Sequence, residues 1–487
     1  MRRAPLLLLA ALAVLPATPA AARPHARPPA LVRLTSTPAL YPAYDPAIHD
    51  YVVRCTAGTQ VRFTAWAAAG TAPSIAGRRG RTAAVPLKPG AAVTIAGRSA
   101  AGETDYHVRC LPEDFPQWTE TRTAATKSWY VLTPSLSLGQ ARSHYVAIFD
   151  GHGVPIWWYR TRRVPIDAKL LPGRTPLVAF ASFPASTPEY QIRRLDGTFV
   201  RKVVSPDGRI DDHELQRVGN GDFVYLVYQP RRHLDLTPYG GPADATVLEA
   251  HVEEVSPAGK LVWSWQSDDS VSLDESVRWL PTIIPAPVFI PGPDNAPEPS
   301  YDFFHPNAVS VTRSTVYVSL RHTDAVYAID RASGAILWKL GGTPTPASLT
   351  VVGDPYGDEP FGGQHDVRAL ADGTISVFDD GTFLGRPPRV ARYRIDTVAR
   401  TATLVQQVVD PAVTNSNCCG SARLMASGDW LVSWGGDPVV GEYRPDGTPV
   451  FTLTFADDIF SYRAVPVAPG RLTAAELRAA MDTLTKR

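Results

Sequence analysis

The chain has 487 residues, 44% hydrophobic and 20% charged, enough for at least two domains with large cores. Lysine plus arginine (48) almost balances aspartate plus glutamate (47), and a net charge of +1 excludes the broad cationic field of a non-specific nucleic-acid binder. With 46 Pro, 36 Gly, 18 Tyr, 16 Phe and 11 Trp, the composition fits many turns between aromatic-bearing strands and excludes a helical bundle or a disordered chain.

The first element is an address. Arg2 and Arg3 precede the apolar run Leu6 to Leu15, and small residues with two prolines fill 16–22. That order predicts a signal peptide over residues 1–22 and an exported product, secreted or held in the cell envelope. The run is too short to span a bilayer, and no later stretch is long and apolar enough, so no stable membrane span is expected after cleavage.

Residues 23–112 predict a small β-sandwich-like domain. Short apolar strands such as Val61-Arg-Phe-Thr-Ala-Trp and Ala92-Val-Thr-Ile alternate with Gly, Pro and Ala turns. Cys55 and Cys110 end near-identical segments, Tyr51-Val-Val-Arg-Cys and Tyr106-His-Val-Arg-Cys. Two such segments side by side predict a Cys55–Cys110 disulfide, worth about 4 kcal/mol on chain-entropy reasoning. Cys418 and Cys419 are adjacent, which leaves a vicinal disulfide, two thiols or a bond outside the chain open. The chain has no CxxC or HExxH pattern to suggest a metal site. Leu111-Pro-Glu-Asp-Phe-Pro reads as a hinge.

The next unit, residues 113–470, repeats loosely. A Gly turn leads into a strand that often carries Trp, as in Pro257-Ala-Gly-Lys-Leu-Val-Trp and Ala332-Ser-Gly-Ala-Ile-Leu-Trp. A second unit, a polar turn before a strand, recurs at Asp222-Phe-Val-Tyr-Leu-Val and Asp429-Trp-Leu-Val-Ser-Trp. Together they predict four-stranded sheets near 130–160, 170–205, 213–266, 305–341, 365–409 and 421–456. The fold class is therefore all-β, a six-bladed β-propeller preceded by the small sandwich. The tail from Tyr462 is expected to complete the first blade. Leu280 to Pro299, with seven prolines, reads as an excursion without regular strand that rims the channel mouth. Residues 471–487 predict a short helix capped by Thr473, with Leu477, Met481 and Leu484 near one face.

Aligning the repeats brings three histidines into one register. His213, His305 and His365 each precede their blade's second strand by ten or eleven residues, at the start of an innermost strand that faces the channel. Alternation puts Asn307 on the side of His305, and Arg321 ends the neighbouring strand. Imidazoles with a guanidinium and an amide suit a small tetrahedral oxyanion.

Several motifs then resemble a known family. His305-Pro-Asn-Ala-Val, Tyr317-Val-Ser-Leu-Arg, Gln364-His-Asp-Val, Phe378-Asp-Asp-Gly and Asp212-His-Glu-Leu are similar to the arylsulfotransferases that use no nucleotide donor, across roughly residues 125–460. The resemblance implies a six-bladed propeller and a transiently sulfated histidine, which by motif position is His365. His213, His305, Asn307 and Arg321 fall on the family's other active-site positions. Ala308 and Asp380 depart from the family pattern, which has Ser and Asn there.

Such a site implies transfer of a sulfuryl group from a small aryl sulfate donor to a phenolic acceptor. Neutral His365 would be the nucleophile; Arg321, Asn307 and His305 would hold the sulfuryl oxygens; His213 would be the acid and base. This chemistry needs no metal and no other cofactor, and the sequence has no GxxxxGK[ST] loop for a sulfonucleotide. A non-catalytic secreted ligand-binding propeller and an aryl-sulfate hydrolase are the competing expectations. Neither the oligomeric state nor the identity of donor and acceptor is encoded in these motifs.

Overall fold

The computed structural model describes residues 31–486, apart from 101, 127, 138–139, 142–143, 184–188, 207–209 and 269. The expected signal peptide, residues 1–22, lies outside the described residues.

Strict alternation lets single strands serve two cores at once. Along Phe223–Leu234, Val224 and Leu226 pack into one cluster with Val309 and Val318. Tyr225 and Val227, on the opposite face, join Ala179 and Ile192. The strand is thus buried on both faces, by the sheet before it and the sheet after it, as a period of two requires. Tyr317 repeats the pattern, facing the next cluster while Val316 and Val318 face the previous one.

Among the described residues six antiparallel sheets are built this way, over residues 129–160, 164–203, 210–266, 306–341, 365–408 and 421–455. Their innermost strands touch in chain order. The ring closes because Phe460–Val467 pairs with Trp129–Ser137, with Val131 opposite Val465, so both ends of the domain build the first sheet. The expected β-propeller is borne out.

Three additions lie outside the repeat. Trp118–Arg122 pairs with Pro449–Phe455 at the outer edge of the sixth sheet. Thr350–Val352 runs parallel to Thr401–Val408 on the fifth. The third corrects the expectation that 280–299 lacks regular strand. It carries Val288–Pro291, which pairs with Pro297–Tyr301, and the latter lies parallel to Ala245–Val255. Pro291 ends the edge strand and Pro297 begins the strand beside it, positions that proline tolerates.

Ahead of the propeller, a three-stranded and a five-stranded sheet share a core that includes Leu34, Phe63, Ile95 and Tyr106. Asp50–Arg54 and Gly102–Leu111 run parallel with Val53 opposite Cys110. Cys55 is bonded to Cys110, with the Cα atoms 5.7 Å apart. At the other end, Thr473 Oγ1 accepts from Glu476 N–H and the Glu476 carboxylate accepts from Thr473 N–H, closing a capping box on the helix Ala474–Leu484. Leu477 and Met481 bury its inner face.

Candidate active site

The innermost strands are joined by charge. Arg463 donates to Asp167 at 2.8 Å, to Glu214 at 2.7 Å and to the Asn307 carbonyl at 2.7 Å. Glu214 also accepts from Arg368 and Lys169, and Asp366 accepts from Arg368 and Arg423. All six sheets supply a member. Removing charges from water is costly, and multiple short pairings offset that cost only if the strands keep their places. The network therefore fixes the channel end on which the site is built.

Three of these strands enter through residues in the left-handed region: His305 (φ 49°), Asp366 (φ 56°) and Cys419 (φ 71°). A left-handed residue breaks strand alternation at the point where the chain turns into the channel. Gln364 pins one of these entries. Its Nε2 donates to Ser319 Oγ and to the Leu320 and Ala325 carbonyls at 3.0–3.1 Å. Gly363 (φ 64°) needs its glycine, because a Cβ there would press on Thr382 and Trp279.

His365 is 2% exposed. Its Nδ1 lies 2.7 Å from Asp380 Oδ2 and 3.1 Å from the Gly363 carbonyl, and its Nε2 accepts the Cys419 N–H at 3.2 Å. An N–H on one side and oxygens on the other assign the tautomer: Nδ1 carries the proton and Nε2 holds the lone pair. Burial, with Arg321 and two other imidazoles nearby, holds the ring well below the usual histidine range, so it is neutral at pH 7. Burial pushes the Asp380 carboxyl up, against the Ser416 hydroxyl that donates to its other oxygen at 2.5 Å.

The other two predicted histidines meet. The rings of His213 and His305 stand 5.0 Å apart, edge to face. Their charges differ because their carboxylates do. Burial alone would lower His213, but Asp211, 2.8 Å from Nδ1, and Asp212 override it and raise the ring to about 9. His213 is thus an imidazolium at neutral pH. His305 donates from Nδ1 to Asp302 at 2.5 Å, yet burial outweighs that carboxylate and its pKa is lowered. The His322 ring is tilted against it at 4.7 Å, donates from Nδ1 to the Asp302 carbonyl and is lowered to about 3, chiefly by burial. One cationic and several neutral imidazoles therefore share the site.

Arg321 caps the group. Its backbone N–H donates to the His305 carbonyl at 3.0 Å. The guanidinium donates from Nη1 to His322 Nε2 at 3.1 Å and from Nη2 to the Asn417 carbonyl at 2.8 Å. It lies 4.4 Å over the Trp279 ring, and its buried Nε has no partner among the described residues. Asn307 sits deeper than alternation suggested. The left-handed turn at His305 precedes the strand, and Asn307 Nδ2 donates to the Gln364 carbonyl at 2.7 Å. Its Oδ1 is buried and has no partner among the described residues.

A cavity of about 440 Å³ opens over His305, Arg321 and His322. Asp302, Thr382 and Asn417 complete this polar floor. The remaining wall is largely apolar: Trp279, Ile283, Ala286, Val288 and Phe383. Leu273–Trp279 and Leu280–Ile283 are helical turns inserted between the third and fourth sheets, and the segment expected at the channel mouth lines this cavity through Thr282, Ile283, Ala286 and Val288. Neither His213, His365 nor Asn307 lines this cavity.

Sequence reasoning missed the partners more than the actors. Asp211 and Asp302 stand two and three residues before their histidines, a spacing that returns a carboxylate to the ring. His322 follows Arg321 directly. Cys418 and Cys419 are paired with each other, one of the alternatives left open above, and the Cys419 amide reaches His365. Asp302, His305 and His322 bring donor atoms within 4.8 Å of one another, as do Asp211, Asp212 and His213. Both groups are already linked internally by hydrogen bonds.

A protein of unknown function from Bacteroides caccae is 12% identical, covering 70% of this chain and 99% of its own, with a TM-score of 0.42. Virginiamycin B lyase from Staphylococcus aureus is 12% identical, with 74% and 90% covered and a TM-score of 0.36. The gluconolactonase XC5397 from Xanthomonas campestris is 11% identical, with 69% and 89% covered and a TM-score of 0.34. No curated protein matches the chain. Residues 191–456, more than half of the sequence, match the family model described as arylsulfotransferase (ASST), and the chain belongs to that family.

Proposed function

We propose that this arylsulfotransferase moves a sulfuryl group from an aryl sulfate to a phenol through a sulfohistidine at His365, in an exported protein that is secreted or held in the cell envelope. The observation that carries the reading is the neutral imidazole of His365, with its lone pair on Nε2 and its Nδ1 proton donated to Asp380. The Cys419 N–H passes from Nε2 to a sulfuryl oxygen, Nε2 attacks sulfur, the N–S bond forms, and the bond from sulfur to the aryl oxygen breaks. The departing phenoxide takes the proton that His213 holds at neutral pH. Sulfuryl transfer resembles phosphoryl transfer, so alignment and charge stabilisation dominate. Arg321 and the Cys419 amide are donors for the sulfuryl oxygens, and Asp380 balances the imidazolium that forms. In the second half, neutral His213 takes the acceptor phenol's proton, the phenoxide attacks sulfur, and the N–S bond breaks.

The test is mass spectrometry of the intact protein after brief exposure to 4-nitrophenyl sulfate. The expected result is one sulfuryl adduct on the His365 peptide, discharged by added phenol as a sulfated phenol and not as free sulfate. A His365→Asn variant that still turns over normally overturns the reading.

A further inference from the structure

The cavity over Arg321 is too large for one aromatic ring. A cavity of about 150 Å³ suffices for benzene, and this one holds about 440 Å³. Its two halves differ in kind. The floor is Asp302, His305, Arg321, His322 and Asn417, with Thr382 beside them. The mouth is Ile283, Ala286, Val288 and Phe383, with Thr282, and carries no charged side chain. Phe383 is 68% exposed and Val288 43%, so two apolar side chains are held in solvent beside a polar floor. Phe383 adopts φ 63°, a conformation a bulky residue rarely takes, in a turn after Gly381. It leans on Trp279 with ring centroids 5.4 Å apart. Trp279 itself is fixed: its Nε1 donates to Asp324 at 3.1 Å, and Arg321 and His322 lie against its ring.

We infer that this cavity selects uncharged phenols of two rings, fused or linked. The first ring brings its oxygen to the floor, where His305 stands against His213 and Arg321 lies near His365. The second is covered by Phe383, Val288 and Ile283, which come from the inserted segment and the 381–385 turn. The inference rests on the transferase reading and narrows its substrate class. Covering a second ring removes further apolar surface from water, an effect of about tenfold or more in relative specificity.

The experiment compares kcat/KM for phenol, 2-naphthol and 4-phenylphenol as acceptors, with 4-nitrophenyl sulfate as donor and the full chain as enzyme. The two-ring acceptors are expected to exceed phenol by about tenfold or more. Phe383→Ala and Val288→Ser are expected to bring that ratio toward one, whereas Phe383→Leu keeps most of it. Equal kcat/KM across the three acceptors, or a ratio untouched by Phe383→Ala, overturns the inference while leaving transfer intact. If no acceptor is sulfated, the transferase reading fails by itself. Calorimetry then decides the cavity: 4-phenylphenol binding more tightly than phenol, and losing that margin in Phe383→Ala, sustains it, and equal affinities overturn it.

Discussion

Asp380 holds the Nδ1–H of His365 at 2.7 Å while the Cys419 amide meets Nε2 of the same ring. The ring is thereby fixed in one tautomer with its lone pair turned away from the carboxylate. Asn at position 380 could still accept the Nδ1 proton, but without charge. A hydrogen bond to a charged group exceeds a neutral one by about 1.4 kcal/mol, or about tenfold in rate. Asp380→Asn is therefore expected to slow formation of the sulfohistidine about tenfold, and Asp380→Ala about 100-fold or more, because Ala also frees the ring to rotate. Rapid-quench measurement of adduct formation with 4-nitrophenyl sulfate reads both. Equal rates in Asn and Ala variants would show that the charge and the orientation contribute nothing separable.

Arg321 presents a different kind of dependence. Each of its two terminal nitrogens gives one N–H to His322 or Asn417, which leaves their second N–H groups and the unpartnered Nε–H for an anion. Lysine retains the charge but has no fork to hold both neighbours and a third group together. Arg321→Lys is expected to lower kcat by about 100-fold, the effect of removing one aligned transition-state donor. Steady-state kinetics with an aryl sulfate donor check this, alongside circular dichroism to verify the β signal. A variant with wild-type kcat would remove Arg321 from the chemistry.

The imidazolium of His213 gives the site a pH signature. Its pKa is raised to about 9 within the fold, against about 6.5 for a free imidazole. The cation's contribution to stability is fully present below about 6.5 and is lost as pH rises through about 9. As the proton donor to the leaving phenoxide, the same group predicts that transfer falls on the alkaline side near pH 9. Asp211 is the main upward influence on this ring. Asp211→Asn should move the alkaline limb toward neutral pH, which a kcat/KM profile for the donor would show. A limb unmoved by that substitution would belong to another group.

Much of this arrangement is legible in the sequence. The period of two along Phe223–Leu234 and the recurrent Gly turns suffice for the sheets, since a strand covered on both faces needs apolar residues at successive positions. The register of His213, His305 and His365 follows from the same repeats. Asn307 did not follow, because its reading assumed unbroken alternation and the chain turns left-handed at His305. The carboxylates escaped for another reason. Asp302 and Asp211 act through local turns, and Asp380 through a contact across the fifth sheet, none of which a strand pattern encodes. The cavity was legible only as an insertion, and its depth depends on where Trp279 packs.

Arg463 shows how far the site depends on groups that never touch it. The side chain is 1% exposed and belongs to Phe460–Val467, the last strand to join the first sheet. Its contacts reach Asp167 on the second sheet, Glu214 on the third and the Asn307 carbonyl on the fourth. Arg463→Met would leave two buried carboxylates with one cation fewer and would loosen the strand that closes the ring. Removing one partner of a buried ion pair costs about 3–5 kcal/mol. The urea midpoint is expected to fall accordingly, with an unchanged slope if the domain still unfolds as one unit. Arg463→Lys keeps the charge and should lose less, since only the fork is gone. If both variants melt like the parent, the closure is held by strand pairing alone, and the placement of His213 beside His305 does not depend on the charge network beneath them.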